Sequence, residues 1–311
     1  MYQHASIMKL DIQKIEGYAL VALSACCFGI MPIFARIAYA SGVDTTTLLL
    51  GRFLIGGFLL SFIAWRNHAL LPPRQSWPVL FLLGVVGYTG TSFCYFNALN
   101  HASASLVALL LYAYPALVTL LGFFFIHEKL SKTSLIALLC ATSGCVLVIG
   151  LSGEGDSVGL ALALTAAVVY SVYIIISSQV VGKRTAMASS AFIILSASLS
   201  YCVIALFKGV SLPKTGSGAM AILAIAFFST VVAFWSFFAG LGRIGAAKAS
   251  LVSTLEPLVT VLCAILFLGE SLTISTLLGG LLIVGSLVLS ALPCPGQAKQ
   301  EYQGKSNTET L

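Results

Sequence analysis

Six long stretches of this 311-residue chain contain no Asp, Glu, Lys or Arg: 75–127, 133–153, 157–182, 185–207, 215–242 and 271–298. A bilayer core of ~30 Å is crossed by about 20 apolar residues rising 1.5 Å each. Each stretch therefore admits a crossing, and the first is long enough for two. Charged residues make up only 8% of the chain, against roughly 25% in an ordinary soluble domain. Its 16 basic and 10 acidic side chains cannot cover water-exposed globules of this total length. A soluble fold is excluded, and lipid must solvate most of the chain.

Turn residues, charges and length predict an all-α integral membrane protein with ten spans, near 17–37, 46–66, 76–98, 103–126, 132–150, 157–178, 187–207, 217–240, 246–268 and 273–292. Residues 1–16 form a polar lead-in, and 293–311 a polar tail of disordered composition. The first span is expected to be retained: 17–35 is too long for a signal h-region, and no small-residue cleavage site follows before Arg36. Ten spans put both termini on one side. That side receives Lys9, Lys14, Arg66, Arg74, Lys129, Lys132, Lys183, Arg184, Arg243, Lys248, Lys299 and Lys305, while the other holds only Arg36, Arg52, Lys208 and Lys214. Because positive charge stays cytoplasmic, both termini are predicted to be cytoplasmic, with the chain in the plasma membrane.

The net charge of +6 is thus assigned to topology. A nucleic-acid partner would need a clustered basic face, and the bases are scattered. Seven of the eight cysteines, all but Cys294, fall in apolar spans, with no CxxC and no His at ligand spacing. They read as small buried side chains, and neither a metal nor another cofactor is called for.

A shift of 142 residues superposes the chain on itself. Phe96 meets Phe238, Ala104 meets Ala246, Pro115 meets Pro257, Leu120 meets Leu262, Glu128 meets Glu270, and Phe28 meets the similar Tyr170. Leu on Leu is cheap in such a composition; a mid-helix Pro and a loop Glu, thirteen residues apart in each half, are not. The repeats run over 17–150 and 151–292. Five spans per repeat is an odd number, so the second half enters the membrane from the opposite side. Inverted repeats recur in secondary transporters, where two halves rock around a site near the bilayer midplane.

Further residues carry a family likeness. The run Asn97 to Leu106, Tyr112 to Pro115 followed by Glu128, Leu255 to Pro257 followed by Gly269 and Glu270, and Arg52 in the second span resemble the EamA family of the drug/metabolite transporter superfamily. The resemblance covers about 17–292. It implies a ten-helix carrier of small metabolites, usually an exporter of amino acids or related compounds, with a central cavity between the halves. It leaves the substrate open.

Glu256 is the acidic residue set deep in a span, about ten residues or roughly 15 Å from the cytoplasmic end of span nine. A carboxylate near the midplane is costly unless paired, wetted or protonated, which makes it a functional candidate. Its structural alternative is to satisfy a broken helix next to Pro257. Tyr114 is its repeat partner, expected at equivalent depth. Arg52, roughly 10 Å from the outer end of span two, has two readings. Its guanidinium offers a fork for a substrate carboxylate, or it snorkels outward or pairs with Asp44. The structural reading is favoured, because the repeat partner is the apolar Ile194.

Tyr88, Ser92 and Tyr95 on span three, and Tyr170, Tyr173 and Ser177 on span six, form stripes at helical spacing. Tyrosine and serine are costly against lipid, so both stripes are expected to face inward. Asn97, Tyr112 and Trp235 join the substrate or coupling candidates. Glu128 and Glu270, each just before a helix-capping Ser131 or Thr273, are read as loop anchors. Lys248 is read as a topology charge. The leading expectation is a secondary active exporter of a small metabolite such as an amino acid, alternating access across the bilayer with a proton as possible coupling ion. The alternatives are an antiporter of phosphorylated or nucleotide-linked sugars, a membrane-embedded enzyme and a passive channel. The histidines at 4, 68, 101 and 127 all fall in tails or loops and build no hydrolytic constellation.

Overall fold

Apolar composition without charge leaves the backbone to satisfy its own hydrogen bonds, and in a bilayer only helices or closed barrels do so. The structure, a computed structural model, describes residues 2–125, 132–152, 156–181, 185–244, 249, 252–253 and 255–291. Among these every regular element is helical. In chain order they are α1 (Tyr2–Gly29), α2 (Met31–Ala40), α3 (Thr45–Arg66), α4 (Trp77–Leu82), α5 (Thr89–Ala98), α6 (Ala104–Leu111), α7 (Tyr114–Phe125), α8 (Lys132–Ser152), α9 (Ser157–Val180), α10 (Ala186–Lys208), α11 (Gly216–Ala226), α12 (Ala233–Ile244), α13 (Leu255–Leu268) and α14 (Ile274–Ala291). Among the described residues six helical stretches are long and apolar enough to cross a membrane: Gln13–Ala40, which contains the junction of α1 and α2, Thr45–Arg66, Arg74–Ala98, Ser157–Ser177, Ala186–Lys208 and Gly216–Leu241. Shorter apolar helices make up the rest, and Phe58, Phe62, Leu139, Leu266 and Leu281 point outward as lipid contact requires.

Several expected spans are interrupted, for stated reasons. Pro32 lacks the N–H that would continue the ladder past Ile30, separating α1 from α2. Pro115 does the same between α6 and α7, where Tyr112 and Ala113 leave the helix. The third and eighth expected spans stay continuous but each widens into a π-helical turn, at Leu83–Tyr88 and Phe227–Val232. In each, a threonine hydroxyl bonds the carbonyl five residues back: Thr89 Oγ1 to Gly84 at 2.9 Å and Thr230 Oγ1 to Ile225 at 3.3 Å. Such turns insert an extra residue and are enriched at functional sites.

Packing follows an exchange of halves. Helix α1 packs on α12 as α5 packs on α9, while α3 with α10 and α8 with α14 pair repeat-equivalent helices directly. The backbone at the centre obeys the same exchange. Ser171 donates to the Tyr114 carbonyl at 3.2 Å, and its equivalent Gly29 lies so close to the Glu256 carbonyl that a Cβ there would meet it at 2.9 Å.

The loops expected on the outer side share one architecture. Asp44, Ser103, Asp156, Thr215 and Thr273 each cap the following helix through a side-chain oxygen. Burial pushes the Asp44 carboxyl up, but hydrogen bonds from the Thr47 side chain and the helix-start amides outweigh it and hold the group below its ordinary value. The Gly159 amide, with the His101 ring, does the same for Asp156. These loops also bind one half to the other, through Lys214 N to the Ser41 carbonyl at 3.0 Å and His101 Nδ1 to Asp156 at 2.9 Å. The strongest tie is Glu270. Gly269, at φ +67, ends α13 in the left-handed region. That turn sends the Glu270 carboxylate across to α6, where it accepts from Ala104 N at 2.6 Å and Ser105 N at 3.1 Å. It therefore anchors the other repeat's helix start, beyond the loop role expected from its sequence neighbours. Glu128 and Lys248 lie outside the described residues.

Charge-assisted hydrogen bonds contribute about 1.5–3 kcal/mol. Glu270→Ala is expected to lower the melting temperature in detergent by roughly 4–8 °C, at 2–4 °C per kcal/mol, with Glu270→Gln intermediate. Unchanged melting of the alanine variant would show that the cap carries no stability.

Candidate functional site

At the centre of the packed halves lies a cavity of about 160 Å³. Its lining comes largely in repeat-equivalent pairs: Phe28 with Tyr170, Met31 with Tyr173, Ser92 with Phe234 and Tyr114 with Glu256. Each pair consists of residues 142 apart, so both repeats contribute equivalent positions to the wall. Arg52, Tyr88, Thr91, Tyr95, Phe96, Leu111 and Tyr112 complete the wall.

The helix interruptions place the two partners that differ most in chemistry. Tyr114 opens α7 and Glu256 stands in the first turn of α13, each directly before a proline. Glu256 is partly accessible because it faces the cavity, and Tyr112 stands in the same wall. A chain of tyrosine rings extends from there. Tyr112 and Tyr114 lie 5.8 Å apart by centroid, Tyr114 meets Tyr170 edge-on at 4.8 Å, Tyr170 stacks on Tyr173 at 5.7 Å, and Tyr173 meets Tyr88 at 5.8 Å. These contacts bury the tyrosine bodies and leave a rigid aromatic wall with a few polar tips, the usual character of a small-molecule site.

Arg52 enters this wall from α3 and is 2% exposed. It neither snorkels nor pairs with Asp44, whose carboxylate is taken by the Thr47 amide at 3.2 Å and by the Thr47 hydroxyl. Nε donates to Thr230 Oγ1 at 3.2 Å and Nη2 to the Tyr88 hydroxyl at 3.3 Å. The guanidinium carbon lies 5.1 Å from the Phe53 ring centre and 5.4 Å from that of Phe96.

Of the residues singled out from sequence, Arg52, Tyr95, Tyr112, Tyr114, Tyr170, Tyr173 and Glu256 come together here. Two do not. Asn97 pins α5 to α3, donating to the Phe93 carbonyl at 2.8 Å and accepting from Thr45 Oγ1 at 3.3 Å. Trp235 is 41% exposed on the outer surface. Phe28, Met31 and Phe234 were not singled out, although the 142-residue shift pairs them with Tyr170, Tyr173 and Ser92 and so carried a signal for them. A wider depression of about 590 Å³, lined by Arg36, Asn100, His101, Ala102, Ser103, Leu268 and Glu270, lies among the capped loops. No group of three or more metal-ligating side chains occurs among the described residues.

The sequence profile of the EamA-like transporter family matches residues 15–150 and again 157–292. An uncharacterized transporter of Clostridium kluyveri is 24% identical over 88% of this chain and 92% of its own. The uncharacterized transporter YwfM of Bacillus subtilis is 27% identical over 80% of this chain and 86% of its own. The aromatic amino acid exporter YddG of Ancylobacter novellus is 29% identical over 57% of this chain and 63% of its own. A crystal structure covering 88% of the chain and 96% of its own superposes with a TM-score of 0.64 at 21% identity, a likeness of fold.

Proposed function

Because the chain belongs to the EamA-like transporter family, we propose that it is a secondary active exporter of a small metabolite, an amino acid or close derivative, working by alternating access. The observation that carries this reading is the central cavity built from repeat-equivalent pairs, with Glu256 in its wall. Two similar halves related by exchange have two nearly equivalent packings, one open to each side of the bilayer. A site between the halves is then presented alternately to both. The reading carries with it ten spans as two inverted five-helix repeats, both termini cytoplasmic, in the plasma membrane.

Glu256 is assigned the substrate amine or a coupled proton, and Tyr112, Tyr114, Tyr170 and Tyr173 the apolar body. The tyrosine wall favours a ring-bearing amino acid, and the relative named as an aromatic amino acid exporter supports the same class. An open volume of about 160 Å³ is close to that of the engineered cavity that holds benzene. A phosphorylated sugar would call for two or more convergent bases, whereas Arg52 is the one base in the described lining.

The test is counterflow in proteoliposomes. Vesicles preloaded with unlabelled L-phenylalanine are expected to accumulate labelled L-phenylalanine transiently and saturably, with a rate that responds to an imposed proton gradient if the proton is coupled. Linear, unsaturable flux would indicate a channel. No counterflow with any of the twenty amino acids would refute the amino acid reading.

A further inference from the structure

We infer that Arg52 is the anchor for the carboxylate of the transported molecule, so that the site takes a zwitterion held at both ends and discriminates against simple amines. The inference rests on the amino acid reading above and deepens it.

Three observations carry it. First, Arg52 is a fully buried cation whose charge is not matched by a bonded anion. Among the described residues no carboxylate forms an ion pair with it, Glu256 in the same cavity wall included. A guanidinium has five N–H donors, and the hydrogen bonds that the structure gives it use two, both long and both to neutral hydroxyls. A buried charge this poorly satisfied is costly unless something arrives to pair with it. Second, it faces the cavity, so that something can arrive. Phe53 and Phe96 flank the group, and its remaining donors form the planar fork that suits a carboxylate.

Third, its two partners are themselves repeat equivalents. Tyr88 and Thr230 are 142 residues apart, and each belongs to the π-helical turn of its half. Arg52, on α3 of the first half, thus bridges the two halves beside the cavity. A group that already spans the two halves is placed to bind a carboxylate lodged between them. The equivalent position in α10 is the apolar Ile194, 1% exposed, so the second half supplies no matching cation there and the site has a single orientation. The carboxylate lies toward Arg52 and the amine toward Glu256.

Binding of three probes to purified protein, read by calorimetry, tests this: L-phenylalanine, 3-phenylpropionate, which lacks the amine, and phenethylamine, which lacks the carboxylate. Arg52→Gln is expected to weaken 3-phenylpropionate by about 30-fold or more, from the loss of a buried charge partner, and to leave phenethylamine within about threefold. Glu256→Gln is expected to do the reverse. Arg52→Lys keeps the charge but loses the fork and is expected to fall between, which serves if the glutamine variant does not fold. Wild-type protein that exports L-phenylalanine yet binds phenethylamine as tightly as the amino acid, or an Arg52 variant that binds 3-phenylpropionate like wild type, would overturn the anchor and leave the exporter standing. Wild-type counterflow that fails for every amino acid removes the reading on which the anchor rests, and the anchor with it.

Discussion

Glu256→Gln is expected to abolish export while leaving the protein folded. Glutamine has nearly the volume of glutamate and keeps one of its two acceptor oxygens, so packing at the start of α13 is retained. What disappears is the negative charge and the ability to exchange a proton. Removing one member of a desolvated charge pair costs about 2–5 kcal/mol, and 1.4 kcal/mol is a factor of ten. The flux per folded molecule should therefore fall by about a hundredfold or more, whether the lost partner is the substrate's ammonium or a coupled proton. The two cases separate in one further measurement. If Glu256 holds the amine, the variant loses counterflow and net flux together; if it carries the proton, counterflow of substrate against substrate persists and only gradient-driven flux is lost. A variant with normal expression, a monodisperse elution profile and full net flux would reduce Glu256 to a structural partner of the helix break.

The expectations that succeeded and those that failed divide on a physical line. The repeat was legible because Pro115 with Glu128, and Pro257 with Glu270, are costly matches in an apolar chain. The same shift contained the pairing of the cavity wall, Phe28 with Tyr170 and Met31 with Tyr173 included. The stripe from Tyr88 to Tyr95 could be placed inward because these residues lie at or beyond the end of their π-helical turn, so a 3.6-residue period holds among them. Trp235 lies after the second such turn, Phe227–Val232. No stripe at helical spacing set its face in the sequence, and it lies 41% exposed. The partners of Arg52 were hidden for a different reason. Depth in a span allows an arginine to snorkel, and nothing local to α3 signals Thr230, 178 residues away in the chain. Glu270 likewise looked like a partner for its own loop, since the helix start it caps belongs to the other half. Local periodicity identifies faces; only tertiary packing selects among long polar side chains that reach several partners.

Gly84→Val is expected to remove most folded protein. Gly84 lies in the first π-helical turn, pressed against α10 across the interface between the halves. A Cβ at this position would stand 2.5 Å from Ser196 Cβ and 3.2 Å from the Ala197 amide, and in closer contact still with the Ile193 carbonyl. The obstacles are mostly backbone and a Cβ, which cannot swing aside as the end of a long side chain can. Helix α10 must then move outward or the π-helical turn must close. Overpacking against atoms that can yield costs about 1–3 kcal/mol, and this contact should exceed that range. The turn also positions Tyr88 against Arg52, so any folded residue of the variant should bind a carboxylate ligand poorly. Gly285, on α14, provides the contrast: nothing lies within 4 Å of its missing Cβ, and replacing a helical glycine by alanine contributes up to about 1 kcal/mol of helix propensity. Gly285→Ala should melt at or slightly above the wild-type temperature. Thermal unfolding in detergent compares the two directly, and a Gly84→Val protein that melts like wild type would show that the close approach of α10 at this turn is not needed for the fold.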